Sequence, residues 1–172
     1  MKTKIFPIFL IITFSITFFV FYKGLKNTNI YTPKIKSEIK IPNFVTKEFF
    51  SKDKINSDEI FKGSEYYLLN IWASWCIPCK EEHGYLMDLT KKENIKIIGQ
   101  NYKDNFDNAK NFLTKLDNPY DLIFSDNDGT IAIEWGAYGV PETFLIKNNL
   151  IIKKIIGPLN EKLLFEIKEL TQ

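Results

Sequence analysis

Tyr66-Tyr-Leu-Leu-Asn-Ile-Trp-Ala73 is a short, nearly continuous apolar run that leads straight into the only two cysteines of the chain, Cys76 and Cys79. A strand of this kind is buried on both faces, so the rest of the sequence has to supply a covering layer on each side. The segments that follow read that way. Lys80 to Lys92 is predicted helical, with Tyr85, Leu86 and Leu89 at helical spacing. Ile95-Lys-Ile-Ile-Gly-Gln100 is a second strand, and Phe106 to Leu116 a second amphipathic helix with Phe112, Leu113 and Leu116 inward. This β-α-β-α alternation implies a parallel sheet covered by helices.

Asn118-Pro119 punctuates the pattern, and Leu122-Ile-Phe124 is a predicted third strand. Asp126-Asn-Asp-Gly129 reads as a turn leading into a short helix through Glu134. An EF-hand loop would need an acidic residue twelve positions in, where Gly136-Ala137 stands. Thr143 to Ile146 and Leu150 to Ile155 flank Lys147-Asn-Asn149, a hairpin signal, and Glu161 to Leu170 closes the chain as an amphipathic helix. Upstream, the domain is expected to begin near Ile41-Pro-Asn-Phe44. Ser57-Asp-Glu-Ile-Phe61 follows as a helical turn capped by Ser57 and ended by Gly63.

A length of 172 residues with 45% hydrophobic content suits one domain plus extras. The first extra is Ile5 to Tyr22, an uncharged run near the ~20 residues that cross a ~30 Å hydrocarbon core. Being apolar around its whole circumference, it differs from a buried amphipathic helix. A secretory signal would have a shorter apolar core and small residues at a cleavage site, whereas Tyr22-Lys-Gly-Leu-Lys-Asn27 follows here. The expectation is a membrane anchor over residues 1–22, a lysine-rich linker over 23–40 and a globular domain over 41–172. Lysines lie on both sides of the apolar run, so the positive-inside rule leaves orientation open. The net charge is only +2 and all 23 basic residues are Lys, so no basic face suited to nucleic acid stands out.

Cys76-Ile-Pro-Cys79 sits where a buried strand ends and a helix begins. Free N–H groups and the positive end of the helix dipole favour a thiolate there, so Cys76 is expected to be ionised near neutral pH. Pro78 fits the first helical turn. Two cysteines three apart can close a small disulfide and reopen it by exchange. Zinc is an alternative, with Cys76, Cys79 and His83 as three ligands, but a fourth Cys or His is lacking. Covalent haem attachment needs C-x-x-C-H, and Lys80 occupies the fifth position. An inert buried disulfide is the remaining alternative. His83 reads as a helix-surface or packing residue.

The stretches Leu69-Asn-Ile-Trp-Ala-Ser-Trp-Cys-Ile-Pro-Cys-Lys-Glu-Glu-His83, Gly99-Gln-Asn-Tyr-Lys-Asp104, Asn118-Pro-Tyr120 and Gly136-Ala-Tyr-Gly-Val-Pro-Glu-Thr-Phe-Leu-Ile146 resemble the DsbE (CcmG) family. These are membrane-anchored thiol:disulfide interchange proteins of bacterial cytochrome c maturation. The resemblance implies a thioredoxin-like three-layer α/β/α sandwich with a mixed central sheet behind one N-terminal transmembrane helix. It makes Cys76 the exposed nucleophile and Cys79 the resolving thiol, and it makes Pro141 a cis proline facing the disulfide. The Val140 backbone, with Trp75 and Glu142 nearby, would contact substrate by strand addition. General thioredoxins carry a buried Asp where this chain has Asn70, so proton handling falls to Glu82, the family's acidic residue behind the cysteines. Trp72, Trp75, Tyr138 and Phe144 also read as core and rim packing.

The implied activity is that of a protein-disulfide reductase at the inner membrane with its catalytic domain in the periplasm. It would keep the cysteines of apocytochrome c, or of a thiol-holding maturation partner, reduced, drawing electrons from a membrane thiol transporter and using no bound cofactor. The same motif serves oxidants, and four residues do not fix the potential. A peptide-docking module and a peroxidase are the other readings. The latter rests on Ile41-Pro-Asn-Phe44 and lacks the Arg such enzymes need.

Overall fold

The computed structural model describes residues 5–26, 39–63 and 65–171. The N-terminal segment forms one helix, α1 (Ile5–Lys26), about 33 Å long at ~1.5 Å per residue. Its stretch Phe6–Gly24 is fully exposed and has a mean hydropathy of 1.9, long and apolar enough to cross a membrane. The helix continues four residues past Tyr22, since nothing in Lys23-Gly-Leu-Lys26 stops it. Most of the expected linker, residues 27–38, lies outside the described residues.

The second unit is a mixed eight-stranded sheet. In chain order its elements are β1 (Ile39–Lys40), β2 (Val45–Glu48), β3 (Lys54–Asn56), α2 (Ser57–Ile60), β4 (Tyr66–Trp72) and α3 (Ile77–Leu89). Then come β5 (Ile95–Tyr102), α4 (Phe106–Leu116), β6 (Leu122–Asp126), α5 (Thr130–Glu134), β7 (Glu142–Lys147), β8 (Leu150–Ile156) and α6 (Glu161–Leu170). The strand order is β1-β8-β7-β4-β5-β6-β2-β3. Only β4, β5 and β6 run parallel. β7 and β8 return as an antiparallel hairpin, and β2 and β3 form another at the far edge, so the alternation alone predicts too uniform a sheet. The β7–β8 turn places Asn148 at φ 52° and Asn149 at φ 60°, the left-handed pair that a two-residue hairpin requires and that Asn tolerates.

Strand alternation sorts the two faces. Tyr67, Leu69 and Ile71 of β4 join Ile98, Phe124, Phe144 and Ile146 in a core closed by Ile60 and Phe61 at α2 and by Ile131, Ala132 and Trp135 at α5. The residues between them, Leu68, Asn70 and Trp72, are equally buried and point to the opposite face, where α3, α4 and α6 lie. Trp72 is sandwiched between Phe112 of α4 (5.4 Å between ring centroids) and Tyr120 (5.5 Å). A Cβ at Gly99 would sit 2.9 Å from the Trp72 indole nitrogen and 3.0 Å from the Tyr120 ring, so only glycine fits beneath this stack.

Several boundaries move. The helix expected from Lys80 to Lys92 starts three residues earlier, because the Cys76 side chain caps it, and ends at Leu89. On α3, Leu86 and Leu89 are buried but Tyr85 is only half-buried, and Glu82 and His83 take the inward positions. The cap of α2 is Asn56 rather than Ser57. Asn56 Oδ1 accepts from the Glu59 N–H, and Glu59 Oε2 accepts from the Asn56 N–H, both at 2.9 Å. Ile39 and Lys40 pair with β8, so the sheet begins two residues before Ile41.

Candidate active site

β4 ends at Trp72, and the chain turns through Ala73-Ser-Trp75 into the first turn of α3. Two contacts from the loop after β5 hold that turn. Asp104 accepts from the backbone N–H and the hydroxyl of Ser74, and Lys103 O accepts from the Trp75 indole at 3.0 Å. Cys76 is the N-cap of α3, with extended φ and ψ, and its Sγ accepts from the Cys79 N–H at 3.1 Å. Cys76 and Cys79 are joined as a disulfide with Cα atoms 5.3 Å apart. The N–H aimed at the Cys76 sulfur and the helix N-terminus beneath it are the features that stabilise a thiolate after reduction.

Cys76 is less open than expected of an exposed nucleophile. It is 5% exposed against 2% for Cys79, because the sulfur turns in to cap the helix while Trp75 and Ile77 occupy the surface.

Behind the pair, Glu82 lies one turn from Cys79 on the same buried face of α3 and has no exposure. Its Oε1 accepts from Asn70 Nδ2 and its Oε2 from the Leu159 N–H, each at 2.8 Å. Burial raises its pKa to about 7, against the smaller pull of these two hydrogen bonds. Asn70 also donates to Thr143 Oγ1 at 3.1 Å, and its Oδ1 accepts from the Tyr120 hydroxyl at 2.8 Å. Burial, with the Glu82 charge nearby, pushes the Tyr120 phenol well above its ordinary range, so it stays a donor.

Ile71 of β4 pairs with Glu142 of β7, which puts Pro141 one step further on, at the strand end from which the cysteine turn departs. The Val140–Pro141 peptide is cis. Glu142, 1% exposed, accepts through Oε1 from the N–H groups of Tyr138 and Gly139. Lys154 Nζ lies 3.0 Å from Glu142 Oε2, an ion pair whose alignment falls short of a hydrogen bond. It also donates to Gly136 O at 2.6 Å and lies over the Tyr138 ring at 4.3 Å. One carboxylate and one ammonium thus hold the loop before Pro141 from both sides.

The fold therefore brings Cys76, Cys79, Glu82, Trp75, Val140, Pro141 and Glu142 to one end of the sheet. His83 is buried and its Nε2 lies 3.0 Å from the Leu116 and Asp117 carbonyls at the end of α4, away from any ligand role with the cysteines. Trp72 and Phe144 are core, while Trp75 and Tyr138 stand at the rim, 57% and 83% exposed. The sequence did not single out Tyr120, Thr143 or Lys154. Lys154 stands opposite Phe144 in the β7–β8 pair, and nothing in the sequence sets it apart from its neighbour Lys153. A cleft of about 810 Å³ runs between Asn43–Thr46 and Ser125–Thr130 and is lined by neither cysteine.

The Redoxin family profile matches residues 36–171. Over 142 residues the chain is 40% identical to the thiol:disulfide interchange protein DsbE of Vibrio cholerae serotype O1, covering 75% of this chain and 76% of that one. It is 34% identical over 169 residues to DsbE of Escherichia coli (strain K12), covering 94% and 90%. Among solved structures, a DsbF homologue from Corynebacterium diphtheriae superposes with a TM-score of 0.67 at 16% identity, covering 83% of this chain and 93% of that one, a likeness of fold alone.

Proposed function

Because the chain belongs to the Redoxin family and, within it, to the DsbE thiol:disulfide interchange proteins, we propose that it is a membrane-anchored reductant acting in the periplasm during cytochrome c maturation. α1 tethers the domain to the inner membrane. The substrate is a disulfide in apocytochrome c or in a partner that holds its cysteines, and a membrane thiol transporter restores the Cys76–Cys79 dithiol.

In each turnover the Cys76 thiolate attacks one sulfur of the substrate disulfide. A Cys76–substrate S–S bond forms and the other substrate sulfur leaves as a thiolate. Cys79 then gives its proton to Glu82 and attacks Cys76 Sγ, closing the 76–79 disulfide; the second substrate sulfur leaves as a thiolate, and the two substrate sulfurs regain protons, one from Glu82 and one from water. The substrate gains two electrons and the cysteine pair loses them. Val140, ahead of Pro141, offers backbone to an extended substrate segment, in a loop that Glu142 and Lys154 hold still.

The observation that carries this reading is the disulfide at the N-terminus of α3 with a fully buried Glu82, hydrogen-bonded to neutral groups, one turn behind it. A carboxylate with a pKa of about 7 is matched to taking a thiol proton at neutral pH. Replacing Glu82 with Gln should slow resolution of the mixed disulfide about 10²-fold, with attack by Cys76 less affected. The direct test is a Cys79→Ser variant expressed in membranes, where the mixed disulfide persists and the attached protein is identified. A cytochrome precursor or its thiol-holding partner is the expected catch, and recovery of unrelated secreted proteins alone would sink the proposal. A reduction potential near about −120 mV, that of a strong oxidant, would contradict the reductant role.

A further inference from the structure

Pro141 and the loop before β7 stand at the sheet end from which the cysteine turn departs. Beside that turn, toward α4, which follows β5, lies a groove of about 430 Å³. Its lining includes Trp75, Lys80, Asn108, Asn111, Phe112 and Lys115, with no Asp or Glu. The four α4 residues stand at i, i+3, i+4 and i+7, a single stripe along the helix, and Asp107, the one acidic side chain of α4, borders the stripe beside Asn111 without lining the groove. Lys80 and Lys115 are exposed, and neither joins an ion pair among the described residues. The aromatic groups of the groove are fixed in place. Phe112 stacks on the buried Trp72, and the Trp75 indole is tied to Lys103 O. Two ammonium groups, two amides and two anchored rings form a preorganised surface with one sign of charge, and it starts at residues adjoining both cysteines.

We infer that this groove docks the polypeptide segment flanking the substrate's cysteines and selects a segment bearing carboxylates. This deepens the exchange reading and rests on it. Once a substrate sulfur is bonded to Cys76, the residues beside it are held next to Trp75 and Lys80. An extended chain advancing about 3.3 Å per residue reaches Lys115 within a few positions. Asp and Glu side chains there meet Lys80 and Lys115, and the amides of Asn108 and Asn111 supply donors. Lysine-rich flanks meet like charge.

The test uses the full-length chain, reduced, in nonionic detergent. Two synthetic peptides share one Cys-x-x-Cys disulfide and differ only in flanking Asp/Glu or flanking Lys, and stopped-flow tryptophan fluorescence reports the exchange. The readout is the ratio of the two rates within one preparation, so that any change in the reactivity of Cys76 itself cancels. The acidic peptide should react about three- to tenfold faster at low ionic strength, and the ratio should fall to one near about 1 M salt. K115E should bring the low-salt ratio to one or below, with K115Q in between. A wild-type ratio of one at low salt, a preference that survives at about 1 M salt, or a ratio unchanged in both variants overturns the inference. Failure to exchange with either peptide and with oxidised dithiothreitol would instead bring down the exchange reading itself.

Discussion

Glu82 and Glu142 are both buried, 0% and 1% exposed, and both stand at the cysteine end of the sheet, yet they are provided for in opposite ways. Glu142 has the Lys154 ammonium 3.0 Å away and two backbone N–H groups on its other oxygen. Among the described residues Glu82 has only neutral partners, the Asn70 amide and the Leu159 N–H, and its pKa climbs to about 7. A countercharge makes a buried carboxylate a structural tie, whereas withholding it leaves Glu82 to gain and lose a proton near neutrality. Family resemblance alone gives Glu82 proton handling and sets Glu142 beside the substrate loop; it does not show how each charge is accommodated. The difference lies in what stands opposite each.

The sharpest way to break the comparison is Lys154→Met, which would strand Glu142 as a buried, unpaired charge. Unfolding in denaturant should show a loss of about 3–5 kcal/mol, largely restored when Glu142→Gln is added.

The next effect is on pH dependence. The Glu82 pKa is raised in the folded chain, so the native state binds the extra proton. Stability is then complete below about 4.5 and falls as the pH rises toward about 7, by about 3 kcal/mol across that interval. Glu82→Gln should remove this slope from a series of denaturation curves, while Glu142→Gln should leave it in place.

Gly99→Ala would press a methyl group into the Trp72–Tyr120 stack behind Glu82 and cost about 2 kcal/mol by overpacking, measured as a lowered melting temperature. The smallest effect is expected of Tyr120→Phe, which removes the hydroxyl donating to Asn70 Oδ1. A loss of about 1 kcal/mol should appear, with the Glu82 carboxyl titration moving as the freed amide loses its orientation, followed by carbon NMR.

Much of this architecture could be read from residue patterns. β4 announces itself as an apolar run, α4 and α6 by amphipathic spacing, and the β7–β8 hairpin by its Asn-Asn turn. β2 and β3 escape because Val45-Thr-Lys-Glu48 and the edge strand Lys54-Ile-Asn56 are short and mostly polar, leaving no apolar alternation to detect. The cysteine pair is legible from spacing alone, and Glu82 only through family resemblance, since helical periodicity marks apolar faces and hides a carboxylate turned inward. Asn70 enters the sequence reading as a missing Asp, but its partners Tyr120 and Thr143 arrive from 50 and 73 residues away. Such a cluster exists only once the sheet has assembled.

The small window left at Cys76, 5% of its surface, acts as a keyhole. Trp75, 57% exposed, and Ile77, 73% exposed, flank it, so a partner reaching this cysteine passes between an indole and an aliphatic side chain.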